Sequence, residues 1–384
     1  MWGFFDFRHE HYLLNTLGQI VIHWVLRYTS ERDSVKMLAS ENTPQPMSIY
    51  NQNEPIPAGH IETLTVSSER LKNNPLGDPH VRQVPVYLPQ GYDATKSYPV
   101  MYYLAAYTNS GQGVVEWRAF GESIPERLNR LIHEQKMGPT VVVFPECFTR
   151  LGGNQYLDAP GMGQYASHIH EELIPLVEAT YAIKSGAKHR AVLGKSSGGF
   201  AAMRFAMDFP GQWGAIANHS GDAGFELLYQ RDFPAVADVL SQFDGDVKKL
   251  VNRFWKAKKI MGSHILAMMH ICMAATYDED NVNEWVLPFD LKTCELNQER
   301  WQRWLAHDPV NRVEHSVDAL KQLQGLYMDC GFRDQYFIHY GMRQLANKLE
   351  KAQIEHIYTE FNGTHSGIDY RLDESLPFLY EKIQ

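Results

Sequence analysis

From His60 onward, short apolar runs alternate with longer amphipathic ones, a rhythm that predicts strands separated by helices. His60 to Val66, and then Val84, Val86 and Leu88 set among polar or tolerant neighbours, carry the two-residue period of strands. Pro85 has no N–H to donate, so the second strand is expected at or beside a sheet edge. Val100 to Leu104, Thr140 to Phe144, Ala191 to Leu193, Ala215 to Ala217, Leu326 to Met328 and His356 to Phe361 are short and mostly apolar. Ile124 to His133, Tyr165 to Val177 and Phe200 to Phe209 read as helices between them. This alternation predicts an α/β fold with a mostly parallel central sheet covered on both faces.

One interval breaks the rhythm. Between His219 and Leu326 the periodicity is helical, with no convincing strand, so a helical lid is expected after the sixth strand, over about residues 222–308. It is rich in large apolar side chains, among them Phe233, Trp255, Met261, Met269, Trp301 and Trp304. Most are expected in the lid's own core and the rest along an adaptable apolar acyl or aryl pocket. Before His60, Tyr12 to Leu26 is fairly apolar but is interrupted by Asn15, Gly18, Gln19 and His23, too short to span a bilayer and without a following cleavage site. It reads as an amphipathic helix or an untidy extension. Residues 30–57 are polar, contain four prolines and look like a linker. Residues 1–56 are therefore taken as an extension to a 57–384 domain, with Met37 and Met47 as alternative starts.

Composition narrows the classes of function. A chain of 384 residues with 44% hydrophobic and 21% charged residues is globular, and a net charge of -9 offers no footprint for nucleic acid or an anionic membrane. Lys248, Lys249, Lys256, Lys258 and Lys259 read as the solvated side of a helix. Cys147, Cys272, Cys294 and Cys330 form no C-x-x-C pair, so reduced thiols in the cytoplasm are the default. In His168-Ile169-His170-Glu171-Glu172 the histidines fall on different helix faces, and Gly161-Met162-Gly163 is too short a match for a dinucleotide site. No metal or cofactor is expected; the oligomeric state is left open, a homo-oligomer included.

The chemistry concentrates in Gly194-Lys195-Ser196-Ser197-Gly198, a G-x-S-x-G run between an apolar strand and a helix. The glycines omit side chains that would clash in a sharp turn, so Ser196 can occupy a strained backbone with its hydroxyl in a cleft. Ser197 is a poorer nucleophile, because the position two before it is Lys195 rather than glycine. A serine nucleophile needs a base, and the base needs an acid to fix its tautomer, in the chain order serine, acid, histidine. Among 17 histidines, His365 lies in Asn362-Gly363-Thr364-His365-Ser366-Gly367, just past the last strand, at the edge where open α/β sheets build sites. His356 at that strand's start, His264 and His270 in the lid, and His168 and His170 are taken as structural or surface residues.

Asp334 stands on the loop after the seventh strand and is the preferred acid, with Asp329 as the fallback. The oxyanion hole is expected from the Ser197 N–H and a second N–H at Ala106 or Tyr107, in the loop after the third strand. Arg150, Gln155, His219 and Asp222 are candidate substrate-binding residues at the cleft border, although Arg150 fits a structural ion pair equally well.

These residues resemble the family named Putative esterase, which includes esterase D (S-formylglutathione hydrolase), the enterochelin esterases and the mycolyltransferases. The resemblance rests on Val81 to Tyr92 with Tyr98-Pro99-Val100, the elbow, the G-x-x-D of Asp329 to Tyr336 and the His365 loop, and covers about residues 60–384. It implies the α/β-hydrolase fold and a serine hydrolase or acyltransferase with Ser196, Asp334 and His365 as its triad. Ala105-Ala106 replaces the His-Gly pair of many members, which bears on the second oxyanion donor. The lid is larger than in esterase D, so a glutathione thioester substrate is not carried over. The leading expectation is a cofactor-free serine esterase acting on a small-molecule ester; an acyltransferase, or a non-catalytic binding protein on the same scaffold, are the alternatives.

Overall fold

The computed structural model describes residues 56–282 and 284–384; the expectations for residues 1–55 lie outside them. Eight strands form the main sheet: β1 (His60–Ser67), β2 (Val81–Leu88), β3 (Val100–Leu104), β4 (Val141–Val143), β5 (Arg190–Lys195), β6 (Ala215–His219), β7 (Gly325–Gly331) and β8 (Ile357–Phe361). Their order across the sheet is β1-β2-β4-β3-β5-β6-β7-β8. β2 runs antiparallel to both β1 and β4, and every pairing from β4 to β8 is parallel. Pro85 sits on β2, one strand in from the edge, where β1 runs alongside it.

Strand alternation divides the core between the two faces of the sheet. Tyr102, Leu104, Val192, Ile216 and Met328 enter one apolar cluster, whereas Met101, Tyr103, Ala191, Leu193, Ala217 and Tyr327 enter the other. Both faces being covered is why these strands read as unbroken apolar runs. The helix Ile124–His133 and the C-terminal helix Leu372–Ile383 cover the second face. The former starts on a capping box: Ser123 Oγ accepts from the Glu126 N–H, and the Glu126 carboxylate accepts from the Ser123 N–H.

The helix after the elbow spans Ser197–Asp208 on the first face, beginning three residues before the expected Phe200. Glycines at 198 and 199 are poor helix formers and hide that first turn from sequence reading. They are needed for packing: a Cβ on Gly198 would lie 2.0 Å from the Leu104 carbonyl oxygen, and one on Gly199 2.6 Å from Asn218 Oδ1.

Between β6 and β7 the chain is helical, with its longer helices at Phe233–Ser241, Val247–Lys256, Gly262–Tyr277 and Gln298–Leu305. This insertion shares the first-face core. Phe233 stacks on Phe289 and meets Trp301 edge-on, and Trp304 packs against Tyr229 and Tyr277. Met268, Met273, Trp301 and Trp304 are buried there, while Trp255 and Met261 are exposed. Among the described residues no helix is long and apolar enough to cross a membrane.

Candidate active site

Ser196 joins the end of β5 to the following helix at φ 56° and ψ -123°, a conformation that L-residues rarely adopt. Its N–H donates to the His219 carbonyl at 3.0 Å, which ties the turn to β6. The two glycines of the motif meet backbone at close range: a Cβ on Gly194 would lie 2.5 Å from the Gly198 carbonyl carbon and 2.6 Å from the Leu104 oxygen. The strain is thus imposed by packing from β3 and from the helix itself.

Ser196 and Ser197 line a cavity of about 400 Å³. Around them stand Ala106, Tyr107, Lys195, Asp222 and His365. The opposite wall is apolar, with Leu228, Ile265, Leu266 and Met269 from the insertion and Ile338 from the helix Ile338–Lys351. Ser197 opens its helix, so its N–H has no partner one turn back. Among the described residues the N–H groups of Ala106 and Tyr107 have no backbone hydrogen-bond partner, whereas that of the next residue, Thr108, is committed to the Gly152 carbonyl. The Tyr107 ring packs over Gly152 and Gly153, and its hydroxyl donates to the Leu151 carbonyl.

His365 and Asp334 are joined at 2.8 Å, Nδ1 to Oδ2. Asp334 is buried, and its other oxygen accepts from the Tyr336 N–H. A carboxylate only accepts, so His365 donates to it from Nδ1, which leaves Nε2 for another partner. The two loops are pressed together: the Arg333 N–H donates to the Gly363 carbonyl, and a Cβ on Gly331 would come within 2.5 Å of that oxygen. Gln335 accepts from the His365 N–H at 3.0 Å, and the Tyr336 ring meets the imidazole edge-on at 4.9 Å. Ser196 and His365 share the cavity lining with no hydrogen bond between them, a link that in many hydrolases tightens only when substrate arrives.

A second serine, histidine and aspartate constellation exists, and it is buried. His219 Nδ1 bonds Asp329 Oδ1 at 2.7 Å and its Nε2 bonds Ser375 Oγ at 2.8 Å. Asp329 also accepts from Arg371 and from the Tyr327 hydroxyl. Ser375, His219 and Asp329 are at most 2% exposed. Both ring nitrogens of His219 are therefore spent on joining β6 and β7 to the C-terminal helix, and His219 and the fallback Asp329 do not reach the cavity. Strand alternation carries this signal: His219 follows Ala215 and Ala217 on one face of β6, and Asp329 follows Tyr327 on the same face of β7.

The other candidates separate in the same way. Arg150 lies off the cavity on the surface, with Nε 3.9 Å from Asp78, its N–H on that carboxylate and its carbonyl accepting from Trp255. Gln155 is buried behind the cavity wall, where its amide donates to Asp222, Tyr229 and Tyr277. Asp222 does line the cavity. His168, buried, pairs with Glu172, and the half-buried His170 stacks on Phe209. The roles of Gln335 and Tyr229 were not legible in the sequence, since each depends on a partner at least seven residues away.

Comparison with known proteins agrees with this architecture. Solved structures similar in fold include a ferulic acid esterase, 18% identical, covering 84% of this chain and 98% of its own, with a TM-score of 0.55. Another is the Staphylococcus aureus fluorophosphonate-binding serine hydrolase FphF, 13% identical, covering 84% and 99% at 0.52. A third is an S-formylglutathione hydrolase from Agrobacterium tumefaciens, 17% identical, covering 88% and 100% at 0.50. At these identities the likeness speaks for the fold. Residues 79–373 match the family described as Putative esterase. The chain belongs to the Putative esterase family and has the α/β-hydrolase fold.

Proposed function

We propose that the protein hydrolyses carboxylic esters of small or medium size through an acyl-enzyme on Ser196, with His365 as general base and Asp334 as its orienting carboxylate. The observation that carries this reading is the His365 to Asp334 hydrogen bond beside a serine held in a strained elbow on the same cavity. His365 Nε2 takes the Ser196 proton as Oγ bonds to the substrate carbonyl carbon, and the N–H of Ser197 with that of Ala106 or Tyr107 receives the oxyanion. The imidazolium, stabilised by Asp334, returns the proton to the departing alkoxide as the ester C–O bond breaks. Water then attacks the acyl-enzyme by the same route and frees Ser196. The helical insertion acts as a lid whose apolar side receives the acyl or aryl group.

An acyl-enzyme partitions between water and alcohol with a ratio set by the acyl group alone. With p-nitrophenyl butyrate and phenyl butyrate in dilute methanol, both substrates are expected to give one and the same ratio of methyl butyrate to butyrate. Product analysis by gas chromatography checks this. A ratio that differs between the two leaving groups would contradict a shared intermediate. Methyl ester as nearly the sole product, even at low methanol, would favour the acyltransferase reading of the same residues.

A further inference from the structure

We propose that Asp222 is a specificity residue: its free oxygen Oδ1 accepts a hydrogen bond from a donor group, hydroxyl or ammonium, carried by the substrate. The proposal rests on Ser196 being the nucleophile of this cavity.

Asp222 is buried and lies where β6 gives way to the insertion, in the cavity wall that also holds Ser196 and His365. The insertion lines this cavity with Leu228, Tyr229, Gly262, Ile265, Leu266 and Met269, so apart from the Tyr229 hydroxyl a carboxyl here stands against an apolar background. Burying a carboxyl in such a setting is costly unless partners compensate it. The described residues supply two, and both fall on one oxygen: Oδ2 accepts from Gln155 Nε2 at 2.7 Å and from the Tyr229 hydroxyl at 2.7 Å. Oδ1 has no partner among the described residues, and it belongs to a residue that lines the cavity. A carboxylate oxygen can accept about two hydrogen bonds, so the vacancy matches a donor brought by the ligand.

The support behind Asp222 is built in. Gln155 and its neighbour Tyr156 both hold positive φ, 55° and 57°, and so place the Gln155 amide against Asp222 at the cost of backbone strain. The same amide donates to the Tyr277 hydroxyl at 2.8 Å, and Tyr229 packs against Trp304 and His270. Both clamps are thus fixed by the insertion's aromatic core. Burial pushes the Asp222 carboxyl above the usual carboxylate range; the bonds from Tyr229 and Gln155 and the nearby His365 pull it back.

Lys195 lines the cavity too, as a part-buried cation with no hydrogen bond or ion pair among the described residues.

The test compares p-nitrophenyl esters of ω-hydroxyhexanoate, ω-aminohexanoate and hexanoate for donors on the acyl side, and hydroxyethyl with propyl butyrate for donors on the alcohol side. Asp222→Asn keeps a carbonyl oxygen for Gln155 and Tyr229 and turns the free oxygen into an NH₂ donor; Asp222→Ser removes the carboxyl with a smaller side chain. Wild type is expected to favour the donor-bearing ester of at least one pair by about tenfold in kcat/KM, the scale of a buried polar group left unpaired by the wrong substrate. In Asp222→Asn that ratio is expected to fall to about one or below. A preference confined to the amino ester, and lost in both variants, assigns the donor as ammonium; one shared by the hydroxy ester assigns it as hydroxyl. No preference in wild type, or an equal loss for all esters in the variants, overturns the proposal, the latter because Asp222 would then act on His365 rather than on substrate. Fluorophosphonate labelling of Ser196 keeps the two readings apart. An unlabelled wild type removes the serine reading and this one with it, whereas a labelled wild type with equal ratios removes only the role of Asp222.

Discussion

Ser196→Ala is expected to lower kcat/KM for p-nitrophenyl acetate by about 10⁴-fold or more, with the thermal midpoint unchanged or slightly raised. The loss follows from removing the atom that forms the covalent bond, since the remaining oxyanion donors and cavity give only the residual catalysis of a triad without its nucleophile. Stability is spared for a separate reason. Ser196 Oγ has no hydrogen-bond partner among the described residues, and the elbow is held by the glycines, by the bond from the Ser196 N–H to His219 and by the helix that follows. Alanine keeps all of these. Initial rates and a melting curve on the same preparation check both halves; a variant with more than a tenth of wild-type activity would exclude Ser196 as nucleophile.

The two histidine and aspartate pairs give the second large effect, because the same substitution should act on different properties at each. Asp334→Asn is expected to cut kcat by about 10³- to 10⁴-fold, since an amide no longer selects the tautomer of His365 that leaves Nε2 free. Asp329→Asn is expected to leave a folded enzyme active and to lower its stability instead, by about 3 kcal/mol, the scale of removing one partner from a buried ion pair. Asp329 answers both His219 and Arg371, and its hydrogen bonds and electrostatic interaction with those partners hold its carboxyl below the usual range despite burial. A depressed carboxyl contributes stability above its unfolded value, near 3.8, that is lost as pH falls through the lower folded value. The stability difference between wild type and Asp329→Asn should therefore shrink in acid and be full at neutral pH. Urea titrations at both pH values and steady-state kinetics read the two effects separately. If Asp329→Asn were the inactive variant and Asp334→Asn the unstable one, the assignment of the acid would be reversed.

What the sequence disclosed and what it hid differ by the range of the contacts involved. The strands were legible because helices cover both faces and leave runs such as Val100 to Leu104 wholly apolar. The elbow was legible because two glycines at fixed spacing are a local steric demand, now visible as the clash a Cβ at Gly198 would make with Leu104. His365 stood out through its glycine-flanked loop past the last strand, and Asp334 through its place beyond the seventh. The residues that misled have partners far along the chain. His219 sits at a strand end where cleft residues are common, yet its second nitrogen is taken by Ser375, 156 residues away. Arg150 is drawn to Asp78, 72 residues earlier. Asp222 could be named from its position at the start of the insertion, but not its one-sided hydrogen bonding, which depends on Gln155 and Tyr229 folding against it.

The most direct measurement is intact-mass spectrometry after incubation with a fluorophosphonate, applied to wild type, Ser196→Ala and Ser375→Ala. A single adduct is expected on wild type and on Ser375→Ala and none on Ser196→Ala, because, of these two serines, Ser196 is the one that combines a strained turn with a place on a cavity that His365 also lines. An adduct that persists in Ser196→Ala, or a folded wild type that takes none, would contradict it.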